Sequence, residues 1–502
     1  MLDVMAYSYM DCDRDQLFLL PPSMWDWLPE GHLAFFVIDV VSMIDTSAFH
    51  APHLNDGAGR PAYHPDMMLA LLLYAYCSGM RSSRRIERAC RVDVAFRVIC
   101  ANNMPGHVTI ARFRADNEKA IEKVFVDVVK LCATAGLASL GRIAIDGTKI
   151  GSDAALDANR DAEWICAEIN KILAEAEAVD AGEEGQPGLF DDMVAPGPLR
   201  GRSTRLAHLK AALAETEAQE RADRAGQVDR AERAATEAKE GRKLRGRKPS
   251  DPHSALRRAE ADLAATRVKA DRHPNVKAFA GEVAAAEERL AEATKQAVVA
   301  PAAKIQVNVT DPDSRIMKTQ QGWIQGYNVQ AAVNEHQVVI ACAATQDHND
   351  SNQLLAMMAA TIDAAGAAGI DEEVGLVLAD AGYWSEGNAT ADGPDRLIAT
   401  TKDWKQRKVA REMGTTVGSP PDGASTLEAM EHRLRTPHGT EAYATRSHTV
   451  EPVFGDAKEN HGFRRFMRRG LSAAESETKL IFATHNLKKV FHHNPSVVFG
   501  TA

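Results

Sequence analysis

The feature that most constrains the fold is a pair of short apolar runs, each closing on an aspartate: GRIAIDGTKI with Asp146, and VGLVLADAGYWSE with Asp380. Runs of Val, Ile, Leu and Ala this short, stopping at a polar residue, read as buried strands that reach a polar edge of a sheet. Glu451, in HTVEPVFGDAKENHGFRRF, sits in a helical pattern instead. Carboxylates from two strand ends and one helix suit a pair of hard cations, which take oxygen ligands and need negative charge to hold them side by side. Asp146, Asp380 and Glu451 are therefore the candidate metal ligands and catalytic acids. Asp153, Asp311, Asp313, Asp347 and Asp350 also lie near expected strand ends and are read as turn or cap residues.

A chain of 502 residues with 45% hydrophobic content has room for roughly two to four domains with ordinary cores. Its longest uncharged apolar stretch, MMLALLLYAYCSGM from Met67 to Met80, is too short for a bilayer and predicts a buried helix. The opening MLDVMAYSYMDCDRD lacks the basic and apolar regions of a secretory signal, so a cytoplasmic protein with no membrane partner is expected. Seven cysteines are scattered with no Cys-x-x-Cys pair, which argues against a cysteine zinc module or a disulfide framework.

The net charge of −10 is unevenly spread. Residues 157–196 hold eleven acidic side chains against two basic, whereas residues 81–114 hold eight arginines against Glu87 and Asp93. Residues 197–300 hold 22 basic against 16 acidic, so basic surfaces remain for a polyanion.

The first block reads as helical. Apolar positions 33, 36, 37, 40, 41 and 44 share one helix face, Pro65 opens a second helix to about Cys77, and two short arginine-bearing helices are expected over 82–93 and 107–117. Arg84, Arg85 and Arg112 there suit a helix-turn-helix-like DNA-binding module, and a solvated arginine face on a plain bundle is the alternative. Residues 157 to about 300 read as an insertion. Two Ala/Glu/Arg-rich segments, about 203–240 and 253–297, predict a helical hairpin. Between them GRKLRGRKPSDPHS concentrates charge at a tip that includes Arg245 and Arg247. That tip resembles a minor-groove arm. It reads equally as a solvated loop on a dimerising arm, for which Leu206, Leu209 and Leu213 offer a short seam.

Strand signals then return over 305–318, 327–337 and 338–346 as successive antiparallel strands, followed by a helix from SNQLLAMMAATIDAAG, the Asp380 strand and RLIATTK. With the insertion removed, the order fits an α/β fold: a ribonuclease H-like mixed sheet flanked by helices. The expected division is a helical N-terminal DNA-binding domain over 1–135, a catalytic domain over 136–156 and 301–495, and a helical insertion with a basic tip over 157–300.

These blocks resemble the DDE transposases of bacterial insertion sequences over nearly the whole chain. QLFLLPPSMWDWLPEGHLAFFVIDVV, GRPAYHPDMMLALLLYAYCSGMRSSRRIE and GHVTIARFR are similar to the family's N-terminal domain. AIDGTKI, TDPDSRIMK, GYNVQAAV, LADAGYWSEGN and VEPVFGDAKENHGFRRFMRRG are similar to its catalytic blocks. The resemblance implies that Asp146, Asp380 and Glu451 are the catalytic acids, holding two Mg²⁺ ions or Mn²⁺ in their place. Tyr443, Arg446, Glu451 and Lys458 match the residue types of a Tyr, Arg, Glu, Lys signature, with four residues rather than three between Arg446 and Glu451. It further implies that Lys458, Arg464, Arg465, Arg468 and Arg469 contact the DNA backbone. Trp384 is a candidate to stack on an unpaired base, plain packing being the alternative reading. The implied partners are double-stranded DNA, both transposon ends and target, and a second copy of the chain. Nucleoid association would follow from DNA binding. A nuclease of the same fold, or a non-catalytic DNA-binding descendant, are the other classes.

Overall fold

The computed structural model describes residues 23–51, 62–183, 202–239, 252–272, 280–299, 305–401, 412 and 414–497. They fall into two compact units, Met1–Asp153 with Met317–Ala502, and Ala154–Ile316.

The first unit opens with α1 (Leu33–Met43), α2 (Ser47–His50), α3 (Pro65–Cys77), α4 (Ser83–Val92), α5 (Val94–Ile99), α6 (His107–Asp116) and α7 (Glu118–Thr134). Pro65 begins α3 where its missing N–H costs nothing, and every residue from Met68 to Cys77 is buried. On α4, Ile86, Ala89 and Cys90 face inward while Arg84, Arg85 and Arg88 are exposed.

The sheet follows. β1 (Arg142–Gly151) belongs to it, whereas β2 (Asn159–Asp161) and β3 (Gln306–Asn308) form a small antiparallel pair of their own in the second unit. β4 (Arg315–Thr319), β5 (Gly322–Asn334), β6 (Val339–Thr345), β7 (Leu376–Ala379) and β8 (Asp395–Ile398) complete the main sheet. Its order is β4, β5, β1, β7, β8, with β6 also pairing to β5. β1 runs antiparallel to β5 from Ile143↔Asn334 to Gly151↔Gly326, and parallel to β7, which is in turn parallel to β8. The fold is thus α/β with a mixed sheet.

The segment 305–318, expected as one strand, is two. Asn308 Oδ1 accepts from the Thr310 and Asp311 amides at 3.0 and 3.2 Å, turning the chain ahead of Pro312, which has no amide to continue a ladder.

Helices α12 (Leu354–Ala367), α13 (Glu386–Thr390), α14 (Thr426–Arg435), α15 (Pro437–Thr449), α16 (Glu451–Glu459) and α17 (Leu471–His493) finish this unit. One continuous apolar core joins the N-terminal helices to the sheet and to α17. Asn486 of α17 acts as a substitute strand for edge strand β6: its amide accepts from Val339 N at 2.9 Å and donates to Val339 O at 2.8 Å.

Not all the arginines of 81–114 serve a surface. Arg81 and Arg114 are buried. Arg81 Nη1 meets Glu477 Oε1 of α17 at 2.8 Å and Arg465 O at 3.0 Å, and Arg114 Nη1 donates to Tyr76 Oη and Arg81 O at 2.9 and 2.8 Å. These two are spent on tying the helical block to the C-terminal segment.

In the second unit α8 (Ala162–Glu183), α9 (Arg202–Lys239), α10 (Pro252–Arg272) and α11 (Ala280–Val299) accompany the β2–β3 pair. Within the second expected helical segment, α10 and α11 are the helices among the described residues, and residues 273–279 lie outside them. Leu209 is buried with Ile165, Ile169 and Ile172, and Leu206 and Leu213 pack on that cluster, so the leucine seam is used within the unit. The basic tip with Arg245 and Arg247 lies outside the described residues.

Glu477→Leu leaves the Arg81 charge buried without its partner and is expected to lower unfolding free energy by about 3–5 kcal/mol in urea titrations. Arg84→Ala, on the exposed face of α4, is expected to change it by about 0.5 kcal/mol or less.

Candidate active site

Two carboxylates come together because two strands share a register. β1 and β7 pair from Arg142↔Leu376 to Ile145↔Ala379, and the next residues along them are Asp146 and Asp380; Asp380 directly follows the end of β7, whereas Asp146, expected to end its strand, lies within β1, which runs on to Gly151. Asp380 caps the turn after β7 by accepting from Gly382 N at 2.8 Å.

The third acid arrives from a helix pair. Arg446 of α15 is buried and donates through Nη1 to Asp146 Oδ2 at 3.0 Å, while its Nη2 lies 3.7 Å from Glu451 Oε1. The Tyr443 ring lies below that guanidinium, 5.9 Å from centroid to Cζ. The extra residue between Arg446 and Glu451 is absorbed where α15 gives way to α16 at Val450, and Arg446 still reaches both acids. Glu451 opens α16 just before Pro452, where the helix dipole favours an anion, and its side chain is 59% exposed. Two turns on, Lys458 Nζ donates to Thr148 Oγ1 at 2.6 Å. Thr148 is two residues from Asp146 on β1 and therefore on the same face of the sheet.

Charge and burial pull this cluster in opposite directions. Burial pushes the Asp146 carboxyl up to about 6; the negative Asp380 adds to the rise, and Arg446 and the Gly147 amide oppose it. Burial, helped by the positive Arg464, draws Lys458 below the usual lysine range.

The opposite face of β1 carries a polar network that a reading of the sequence missed. Asp350, expected to be only a turn residue, accepts through Oδ1 from Asn328 Nδ2 at 2.7 Å, Gln330 Nε2 at 2.9 Å and Lys149 Nζ at 3.1 Å. Tyr383 donates its hydroxyl to Gln330 Oε1. Gly147 pairs with Gln330, and a Cβ there would stand 2.3 Å from Gln330 Nε2 and 2.8 Å from Asp350 Oδ1. The glycine after Asp146 is what lets this network press against the backbone of the acid. Its signal was present in YNVQAAV, where Asn328 and Gln330 alternate on one face of an otherwise apolar strand.

The other expected contacts are dispersed. Arg465 holds Ser152 O at 3.0 Å and Asp153 Oδ1 at 2.9 Å, and Arg469 holds Asp153 O at 2.9 Å, so both brace the end of β1. Arg464 pairs with Glu459, and Arg468 with Glu118 at the start of α7. Trp384 is half-buried against the core. Arg84, Arg85 and Arg112 are exposed on α4 and α6.

The donor set fits divalent cations. All its ligand atoms are carboxylate oxygens, as hard cations prefer, and the Arg446 guanidinium already supplies positive charge between Asp146 and Glu451. Among the described residues, the three acids are not a group whose ligand atoms all lie within 4.8 Å of one another. A two-ion site does not require that, because ions about 3.5–4 Å apart share one bridging carboxylate and divide the others.

Residues 23–116 match a family model described as "Transposase domain (DUF772)", and residues 405–491 match one described as "Transposase DDE domain". Both matches are to transposase domains, and together they support a DDE-type transposase of insertion sequences. No curated protein and no solved structure matches it significantly. The DDE match holds Arg446, Glu451 and Lys458, whereas Asp146 and Asp380 lie outside both matches and join those residues only through the sheet. DDE transposase domains generally work with divalent metal ions, and DNA is the substrate the family implies. Among the described residues of this transposase, no helix is long and apolar enough to cross a membrane.

In the metal-free chain Asp146 is expected to titrate at about 6 by carboxyl NMR, with Asp380→Asn lowering the value and Arg446→Met raising it. A carboxyl raised in the folded state binds more protons there than in the unfolded chain. Its contribution to stability is therefore full below 3.8 and lost as pH rises to about 6, and Asp146→Asn removes that loss.

Proposed function

We propose that this transposase binds the terminal inverted repeats of its insertion sequence, cuts DNA at their ends and joins those ends to target DNA by phosphoryl transfer with two Mg²⁺ ions. The observation that carries the reading is that Asp146 and Asp380 each follow the last pair of the parallel β1–β7 ladder, with Arg446 linking Asp146 to Glu451. The sheet order supports a ribonuclease H-like catalytic domain: an antiparallel β6, β5, β1 side, a parallel β7, β8 side, and acids on β1 and at the end of β7. On this reading the catalytic domain is interrupted after β1 by the helical insertion and preceded by a helical DNA-binding domain.

When bound, the ions supply an activated water or 3′-hydroxyl and offset charge on the leaving oxygen. Asp146, Asp380 and Glu451 would hold the ions through carboxylate oxygens, Asp146 and Glu451 both lying beside the Arg446 guanidinium. Arg446 holds Asp146 in place and limits the repulsion among the acids. Lys458, braced by Thr148, presents its charge to a phosphate, and Tyr443 supports Arg446 from beneath. Arg464, Arg465, Arg468 and Arg469 position the DNA backbone rather than read its sequence. Arg84, Arg85 and Arg112, with Arg245 and Arg247 of the basic tip, extend that contact, and Trp384 stacks on an unpaired base. Two copies of the chain handle the two ends together.

The test uses labelled DNA carrying the gene's own flanks. The native chain is expected to give Mg²⁺-dependent end cuts and joined products. Asp146→Asn, Asp380→Asn and Glu451→Gln should each lower cutting by at least about a thousandfold, equivalent to about 4 kcal/mol, while end binding stays within about threefold. Cuts without joined products would make it a nuclease, and metal-dependent cutting that survives Asp380→Asn would remove that acid from the site.

A further inference from the structure

The helical block holds a second set of metal-type donors with different chemistry. His50 closes α2, His64 precedes α3 and Asp66 lies in its first turn. His50 Nε2 stands 2.8 Å from Asp66 Oδ1, His64 Nδ1 stands 3.8 Å from Asp66 Oδ2, and all three donor atoms lie within 4.8 Å of one another. The two imidazoles meet edge to face with centroids 5.2 Å apart. An ion with ligand bonds of about 2.0–2.1 Å in tetrahedral geometry sets its donors roughly 3.4 Å apart, so movements of a few tenths of an ångström to about an ångström convert this cluster into a coordination shell.

The surroundings favour a site over a chance contact. His64 occupies the N-cap position of α3 yet makes no side-chain cap bond, its ring turning toward Asp66 instead. The backbone on either side is anchored. Phe49 is buried and stacked on Phe113 of α6 at 5.6 Å, and Pro65 and Met68 are buried in α3. Two imidazoles with one carboxylate suit Zn²⁺ or a similar transition metal and not Mg²⁺, which prefers oxygen and keeps its waters. All three side chains are partly exposed, so solvent can supply a fourth ligand.

We propose that His50, His64 and Asp66 form a Zn²⁺-type site that ties α2 to α3. The donors bracket residues 51–63, so one ion closes that stretch of chain at its base and removes conformational freedom from the unfolded state. It also fixes α2, whose Phe49 supports α6 and its exposed Arg112. The absence of Cys-x-x-Cys argued against a cysteine zinc module and says nothing about a two-histidine, one-carboxylate site.

The test uses the full chain without a histidine tag, stripped by chelator and reloaded with Zn²⁺ in millimolar Mg²⁺, so that the oxygen-only acids are already satisfied. Bound metal is measured by atomic emission after gel filtration, and Co²⁺ is substituted for its visible spectrum. The native chain and Asp146→Asn should each retain one equivalent, with a four-coordinate Co²⁺ spectrum and a raised thermal midpoint. His64→Ala and Asp66→Asn should bind at least about a hundredfold more weakly, while unfolding in chelator like the native chain. No retained Zn²⁺ in the native chain, or an undiminished equivalent in His64→Ala, overturns the site. A loss of zinc from Asp146→Asn as well would assign the ion to the acids instead. DNA cutting is not the readout, so the transposase reading stands or falls separately.

Discussion

β1 is paired differently on its two sides, and the rest of the first unit is arranged around that. On one side it is antiparallel to β5 through nine residue pairs; on the other it is parallel to β7 through four. The parallel pairing sets Asp146 beside Asp380 although more than two hundred residues separate them in the chain. A slip of one residue would turn Asp380 to the opposite face. Burial raises the cost of the Asp146 charge and the nearby Asp380 adds repulsion, which is why Asp146 is pushed up to about 6. The fold holds this arrangement because Arg446 is itself buried and brings positive charge to Asp146 from a separate helix.

The two faces of β1 divide the work. One gathers Asp146 with Arg446, and Lys458 through Thr148. The other gathers two side-chain amides and the Lys149 ammonium around Asp350, closed by Tyr383 and made possible by the missing side chain at Gly147. Buried hydrogen bonds of this kind fix orientation, because a displaced donor loses its partner in a place water does not reach. The helical block is joined to this frame by the Arg81–Glu477 pair and by α17, whose Asn486 closes the sheet edge. Arginines that count alike in composition therefore do different things, with Arg81 and Arg114 inside and Arg84, Arg85 and Arg88 outside.

Much of this was legible beforehand. α3 begins and ends where Pro65 and Cys77 suggest, α4 and α6 fall where the arginine-bearing patterns lie, and the apolar runs before Asp146 and Asp380 are strands. Periodicity and helix-start signals act within a turn or two of chain, so they survive into the fold. Asp311-Pro312-Asp313 is a turn signal within 305–318, but which sheet each piece joins was not legible, because both have strand character and only their partners differ. Asp350 was misread for a related reason: it does sit in a turn, and the three amide and amine donors that claim its carboxylate come from β1 and β5.

The sequence by itself determined the elements, the two aspartates that follow their apolar runs, and a charge map with a basic N-terminal stretch. Only the tertiary structure decided which acid stands beside which, which arginines are buried partners, and that His50, His64 and Asp66 share one point. The physical reason is range. Propensity, capping and side-chain alternation are set by neighbours along the chain, whereas register between β1 and β7 and the placement of Arg446 depend on strands and helices brought together through a common apolar core.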